Sequence, residues 1–120
     1  MKMVLDETVL NNRPFVNYLL KKQEKTYLPA LSYLEYTRQH IKKGKTSSMV
    51  DAFLNELKIE VIPLNHEEVR MAASMDVNDY LTATISAAAL IMKAVLVTEN
   101  PDTYPRVDQV RTPEMVLKEK

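Results

Sequence analysis

A chain of 120 residues is long enough to bury one core and too short to need a second, so residues 1–120 are read as a single domain. Sixteen basic and sixteen acidic side chains cancel, which removes any whole-molecule electrostatic argument for nucleic acid, and the lack of cysteine removes disulfides, thiolate zinc sites and a cysteine nucleophile. The single glycine excludes Gly-rich phosphate loops, and two histidines far apart supply neither a histidine zinc site nor a catalytic triad, so carboxylates are the reactive groups that remain. The polar start is unlike a signal peptide and no apolar run is long enough to cross a bilayer, so the expectation is a soluble cytoplasmic protein with no membrane contact.

The opening run Val4-Leu5 stops on Asp6, followed by Glu7 and Thr8. A buried strand that ends on an acid at the sheet edge is where open α/β proteins place chemistry, although Asp is equally at home as a turn former or helix N-cap. Phe15, Val16, Leu19 and Leu20 then recur at helical spacing and predict a helix over 11–22, with Pro14 in its first turn. Tyr27 and Leu28 make a very short second strand before Pro29.

Residues 30–43 read as a helix with Leu31, Leu34 and Ile41 on its inner stripe and Glu35 beside that stripe. A carboxylate facing inward needs a partner, and Arg38, one turn on, is the ordinary one. Arg38, His40, Lys42, Lys43 and Lys45 form a basic run toward the end of this helix. Ser47 or Ser48 is expected to cap a helix over 49–57, Ile59 to Pro63 reads as a third strand, and Asn65 or Leu64 opens an amphipathic helix to about Met75. His66, in its first turn, is read as structural because nothing nearby offers a second ligand.

Residues 80–92 are the most apolar helix in the chain, with Asp79 at its start. The helix dipole favours an acid there for local reasons alone, yet the first turn of a buried crossover helix also points at the carboxyl end of the sheet. Ala94 to Val97 is apolar throughout, as central parallel strands are, and ends in Thr98, Glu99, Asn100, Pro101 and Asp102. A weak strand over 109–111 and a terminal helix over 113–120 complete the chain.

Alternating strands and helices predict an α/β fold, a three-layer α/β/α sandwich on a mainly parallel sheet of four to five strands with right-handed crossovers. In that topology the strand ends carrying Asp6 and Thr98 point the same way, and Glu35 and Asp79 begin helices leaving that edge. Carboxylates gathered in one cleft repel unless a divalent cation neutralises them, and an all-oxygen set suits Mg²⁺ or Mn²⁺.

Four segments together resemble the PIN-domain ribonucleases, most closely the small VapC-type proteins. Val4 to Leu10 is similar to the family's opening acid motif, Leu31 to Glu35 to its second, Asp79 to Ala87 to its acid-led central helix, and Val95 to Tyr104 to its closing strand, Thr and polar loop. The resemblance implies metal-dependent RNA cleavage by a metal-activated water, with Asp6 and Asp79 as principal ligands of Mg²⁺ or Mn²⁺, Glu35 completing the cluster and Thr98 supporting it. Asp102 is carried as a further ligand, although the usual place of the fourth acid is held by Asn100, two residues earlier. Glu7 and Thr8 also depart from the family's usual small hydroxylated residue and Asn. Arg38, Lys42 and Lys43 are the candidates for holding flanking phosphates. The implied partners are RNA, a small antitoxin whose segment blocks the cleft, and a second copy in a homodimer.

Two other readings compete. An acid-x-acid phosphatase pattern fails because Thr8 stands at the second acid, and a phosphoacceptor receiver domain fails because its acids lie on different strands. The substitutions after Asp6 and at Asn100 keep open a catalytically weakened PIN-like module that binds nucleic acid or protein.

Overall fold

The structure is a computed structural model and describes residues 1–22 and 24–119. Five strands, β1 (Lys2–Leu5), β2 (Lys25–Pro29), β3 (Ile59–Ile62), β4 (Val95–Val97) and β5 (Val110–Arg111), form one sheet in the order β3-β2-β1-β4-β5. Every pairing is parallel. The chain winds outward from β1 to β3, then returns to β4 on the other side of β1. The crevice between β1 and β4 is therefore the switch point, the place where open parallel sheets present a binding edge.

Strand alternation divides the core into two layers. Met3, Leu5, Val95 and Val97 face one side, where α1 (Arg13–Lys21) contributes Phe15, Tyr18 and Leu19, α3 (Ser47–Glu56) contributes Val50 and Leu54, and α6 (Pro113–Lys118) contributes Val116. Val4 and Leu96 face the other side against Ile85 and Ala89 of α5 (Tyr80–Met92), joined by Tyr104 and Val107. The sequence of layers is α/β/α, with α4 (His66–Ala73) lying on α5. Fully burying one Phe, Leu or Met side chain contributes about 1.5–3 kcal/mol, and Phe15, Met3, Leu5, Leu28, Ile85 and Leu96 are all enclosed.

Several local readings need correction. A 3₁₀ turn, Glu7–Asn11, separates β1 from α1, so that helix begins later than the apolar spacing suggests, with Asn12 as its cap and Pro14 in its first turn. Thr46, not Ser47 or Ser48, caps α3 by accepting from Met49 N at 3.2 Å. β2 is longer than Tyr27-Leu28, because edge strand β3 gives it a full parallel partner. The larger error concerns α2 (Ala30–Lys42): Leu34 and Ile41 are half exposed, and the buried face carries Ser32, Tyr36 and Thr37. Tyr36 stacks on Phe53 of α3 at 6.4 Å, and that packing, invisible to spacing alone, rotates the helix away from its leucine stripe. The terminal helix ends at Lys118; the expectation that it continues to Lys120 reaches outside the described residues.

Candidate active site

Register decides what meets at the switch point. Leu5 pairs with Val97, so the next residues on the two strands, Asp6 and Thr98, stand side by side at the carboxyl edge. Thr98 Oγ1 donates to Asp6 Oδ2 at 2.6 Å, with Asp6 2% and Thr98 0% exposed. The Tyr104 hydroxyl donates to the same oxygen at 2.8 Å, reaching it through the α5-side core. Asp6 Oδ1 accepts from Thr8 N at 3.0 Å and from Thr8 Oγ1. Asp6 is thus both the cap of the 3₁₀ turn and the carboxylate at the sheet edge, the two roles its position allowed.

An ionised carboxylate offers about four acceptor positions, and Asp6 receives four donors. Its capacity is used. Thr8 Oγ1 in turn accepts from Glu99 N at 3.0 Å, and Glu99 Oε2 accepts from Asn12 Nδ2 at 2.8 Å, which ties the loop after β4 to the turn after β1. Burial first, and then the Asp6 charge and hydrogen bond, push the Tyr104 phenol far above its ordinary pKa, so it stays protonated and donating.

The other acids come to this edge from the helices. Asp79 is the N-cap of α5, accepting from Leu81 N at 3.1 Å and from Thr82 Oγ1 at 2.8 Å, and its charge is felt at Tyr104. Glu35, half buried in the second turn of α2, accepts from Gln39 Nε2 at 3.1 Å; Gln39, not the exposed Arg38, is its partner. Glu7 is raised above the usual carboxylate range, chiefly by burial, then by the charges of Asp6 and Glu35. Asp6, Glu7, Glu35 and Asp79 therefore share one electrostatic neighbourhood. Among the described residues, however, no three His, Cys, Asp or Glu side chains are gathered tightly enough to hold an ion as they stand.

Asp102 is exposed in a second 3₁₀ turn, Pro101–Thr103, in the loop that follows β4. The basic run of α2 points the wrong way: the helix starts at the acidic edge, and Lys42, seven residues past Glu35, lies about 10 Å further along the axis toward the opposite edge. Lys42 and Lys43 do not flank the acids. His66 is exposed at the start of α4. Tyr104 escaped notice, although an aromatic residue with a polar tip, six residues past Thr98 in an otherwise polar loop, was the available signal.

No family model matches the sequence, and no curated protein matches it. Solved structures do. A toxin-antitoxin complex from Klebsiella pneumoniae superposes with a TM-score of 0.74 at 15% identity, covering 92% of this chain and 97% of that one. A VapBC2 complex from Rickettsia felis, bound to a fragment of its promoter DNA, gives 0.69 at 18% identity over 93% and 98% of the two chains. A PilT N-terminus domain protein from Sulfolobus solfataricus gives 0.67 at 17% identity over 99% and 92%.

The fold is that of a VapC-like PIN domain.

Within this PIN fold the Tyr104 hydroxyl is the donor that can be removed with least disturbance, because phenylalanine keeps the ring in the core. Tyr104→Phe should lower stability by about 1.5–3 kcal/mol, the value of one buried hydrogen bond to a charged group. Urea unfolding in EDTA measures it; an unchanged midpoint would mean that the phenol does not hold Asp6.

Proposed function

We propose that this chain is a metal-dependent endoribonuclease that cleaves RNA phosphodiester bonds, acting as the toxin of a toxin-antitoxin pair. The observation that supports it is an edge of acids around a buried carboxylate at the switch point of a VapC-like PIN fold. The antitoxin is proposed by likeness to the toxin-antitoxin complexes that share the fold, and a homodimer in the cytoplasm is proposed with it. Among the described residues no helix is long and apolar enough to cross a membrane.

The donor chemistry fits Mg²⁺ or Mn²⁺ in kind, since the edge offers carboxylate oxygens whose like charges have no ion-pair partner among the described residues. Glu35 and Asp79 are the assigned ligands on the accessible side. Asp6 supplies the central negative charge and enters coordination only by exchanging one of its four donors. Thr98 holds Asp6 in place. Asp102, in the turn that follows β4, is the further acid of the set. A bound cation lowers the pKa of its water and polarises a phosphate oxygen. The protein's own part is to fix the acids at one edge and to anchor Asp6 against thermal motion.

The filled acceptor set of Asp6 favours a second reading, a PIN-like module that binds nucleic acid or protein and cleaves poorly. Cleavage of a labelled RNA, compared between wild type and Asp79→Asn with and without EDTA, separates the two. Nuclease function predicts cleavage by the wild type with Mn²⁺, a loss of about 100-fold or more in the variant, and none in EDTA. Equal cleavage in all samples, or none in any, overturns the nuclease reading.

A further inference from the structure

The edge opposite the acids carries a lysine at the start of each of four adjacent strands. Every pairing is parallel, so the amino ends of β3, β2, β1 and β4 lie together, and Lys58, Lys25, Lys2 and Lys93 stand at or just before them in that spatial order. Lys2 is in register with Lys25, and the pairing of Thr26 with Ile59 brings Lys58 level with Lys25. Neighbouring strands are about 4.8 Å apart, which makes a row roughly 14 Å long. All four lysines are exposed, and none has an ion-pair partner among the described residues. The row stops at β5, whose approach carries Asp108.

Local rules account for only part of this row. Lys58 and Lys93 follow α3 and α5, where the helix dipole favours a cation, but Lys2 and Lys25 open strands and have no such reason. Among the described residues, Lys58 and Lys93 are also the two non-glycine residues with left-handed backbone, φ 58° and 54°, a conformation that glycine adopts without steric cost. Both ends of the row thus hold lysine where lysine is the strained choice.

Between β3 and β1 the edge is concave. Two adjoining open depressions of about 540 and 280 Å³, one lined by Lys2, Lys22 and Lys25 and the other by Lys25, Lys58 and Glu60, share Glu24 and Lys25 and form one shallow trough. Glu24 is ion-paired with the Met1 amino group at 2.9 Å, which leaves Glu60 against four lysines. A line of positive charge in a trough fits a chain-like polyanion, whereas a membrane surface needs a flat or convex face. Lysine meets phosphate as a point charge, without the oriented fork of arginine, and phosphate contacts carry no sequence information.

We propose that this lysine row binds the phosphate backbone of single-stranded RNA, as a second anchor remote from the acidic edge. That the polyanion is RNA rests on the reading above. Asp6 lies four residues beyond Lys2, about 13 Å along the strand direction, so the anchored nucleotides are not those at the acids. The row holds RNA without cutting it.

Binding of a fluorescent single-stranded RNA of about 30 nucleotides to the whole chain, measured in EDTA over a range of salt, tests the row with metal-dependent cleavage silenced. Wild type should bind with a slope of log affinity against log salt of about −3. Lys25→Gln/Lys58→Gln should lose about tenfold or more in affinity at about 0.1 M salt, and its slope should be shallower by about 1.4. Arg70→Gln, on α4 in the outer layer, should leave both unchanged. Lys58→Gly/Lys93→Gly removes charge and backbone strain together, so it should bind RNA more weakly while unfolding at the wild-type midpoint or above it. No binding by folded wild type, or unchanged affinity and slope in Lys25→Gln/Lys58→Gln, overturns the proposal. So does binding to phosphatidylserine vesicles but not to RNA, which would make the row a membrane contact. RNA binding that these variants lose, in a wild type that cleaves nothing with Mn²⁺, would remove the nuclease and keep the row. Cleavage of the same RNA with unchanged KM in Lys25→Gln/Lys58→Gln would keep the nuclease and remove the row.

Discussion

Asp6→Asn should destabilise the protein in EDTA by about 3–5 kcal/mol, the largest loss expected from any conservative change at the edge. The carboxylate is 2% exposed and accepts from Thr8 N, Thr8 Oγ1, Thr98 Oγ1 and Tyr104 OH. An asparagine keeps one acceptor oxygen and turns an NH₂ toward donors that cannot accept it equally well, so about two of the four bonds are lost, each charge-assisted and worth roughly 1.5–3 kcal/mol. Hydroxyls can rotate to rescue part of this. Chemical denaturation at neutral pH reads the difference, and a loss below about 1 kcal/mol would show that Asp6 is not the anchor of this edge. Because the bonds join the turn after β1 to the loop after β4, protection from hydrogen exchange should fall in both segments of the variant together, more than in the body of α1.

Thr98→Val should cost about 2–3 kcal/mol. Valine fills the same space, so the core is undisturbed and the effect is polar alone. Thr98 Oγ1 donates to Asp6 at 2.6 Å and accepts from Asn100 N at 3.1 Å, and the substitution strands both groups next to a fully buried site. The energies of Thr98→Val and Asp6→Asn should not add: the double variant should fall short of the sum by about 1 kcal/mol or more, as expected for two residues in one hydrogen-bonded network. Additive losses would mean that Thr98 acts mainly through Asn100 and the loop, and that its proximity to Asp6 carries little energy.

Much of the architecture was legible in the order of residues. Apolar runs at 95–97 and 80–92, Asp6 closing the opening run and helices between successive strands as far as β4 specify a parallel sheet with a buried crossover helix, because chain connectivity and backbone handedness leave few other ways to bury such segments. The same logic placed Asp6, Glu35, Thr98 and Asp79 at the carboxyl ends of strands or the beginnings of helices. Local rules also allowed Asp79 to cap its helix.

Tertiary packing decided the rest. The face of α2 was set by Tyr36 against Phe53, a contact between residues 17 positions apart, so a leucine stripe that reads as core by period lies half exposed. Tyr104 meets Asp6 across 98 positions because parallel register aligns Leu5 with Val97, and no periodicity encodes register between distant strands. Acid type and rough placement are properties of the chain, since local propensity and connectivity act over neighbouring residues. How far the Asp6 carboxylate is satisfied belongs to the folded form alone, because Thr98 and Tyr104 are donors that only long-range packing brings within reach.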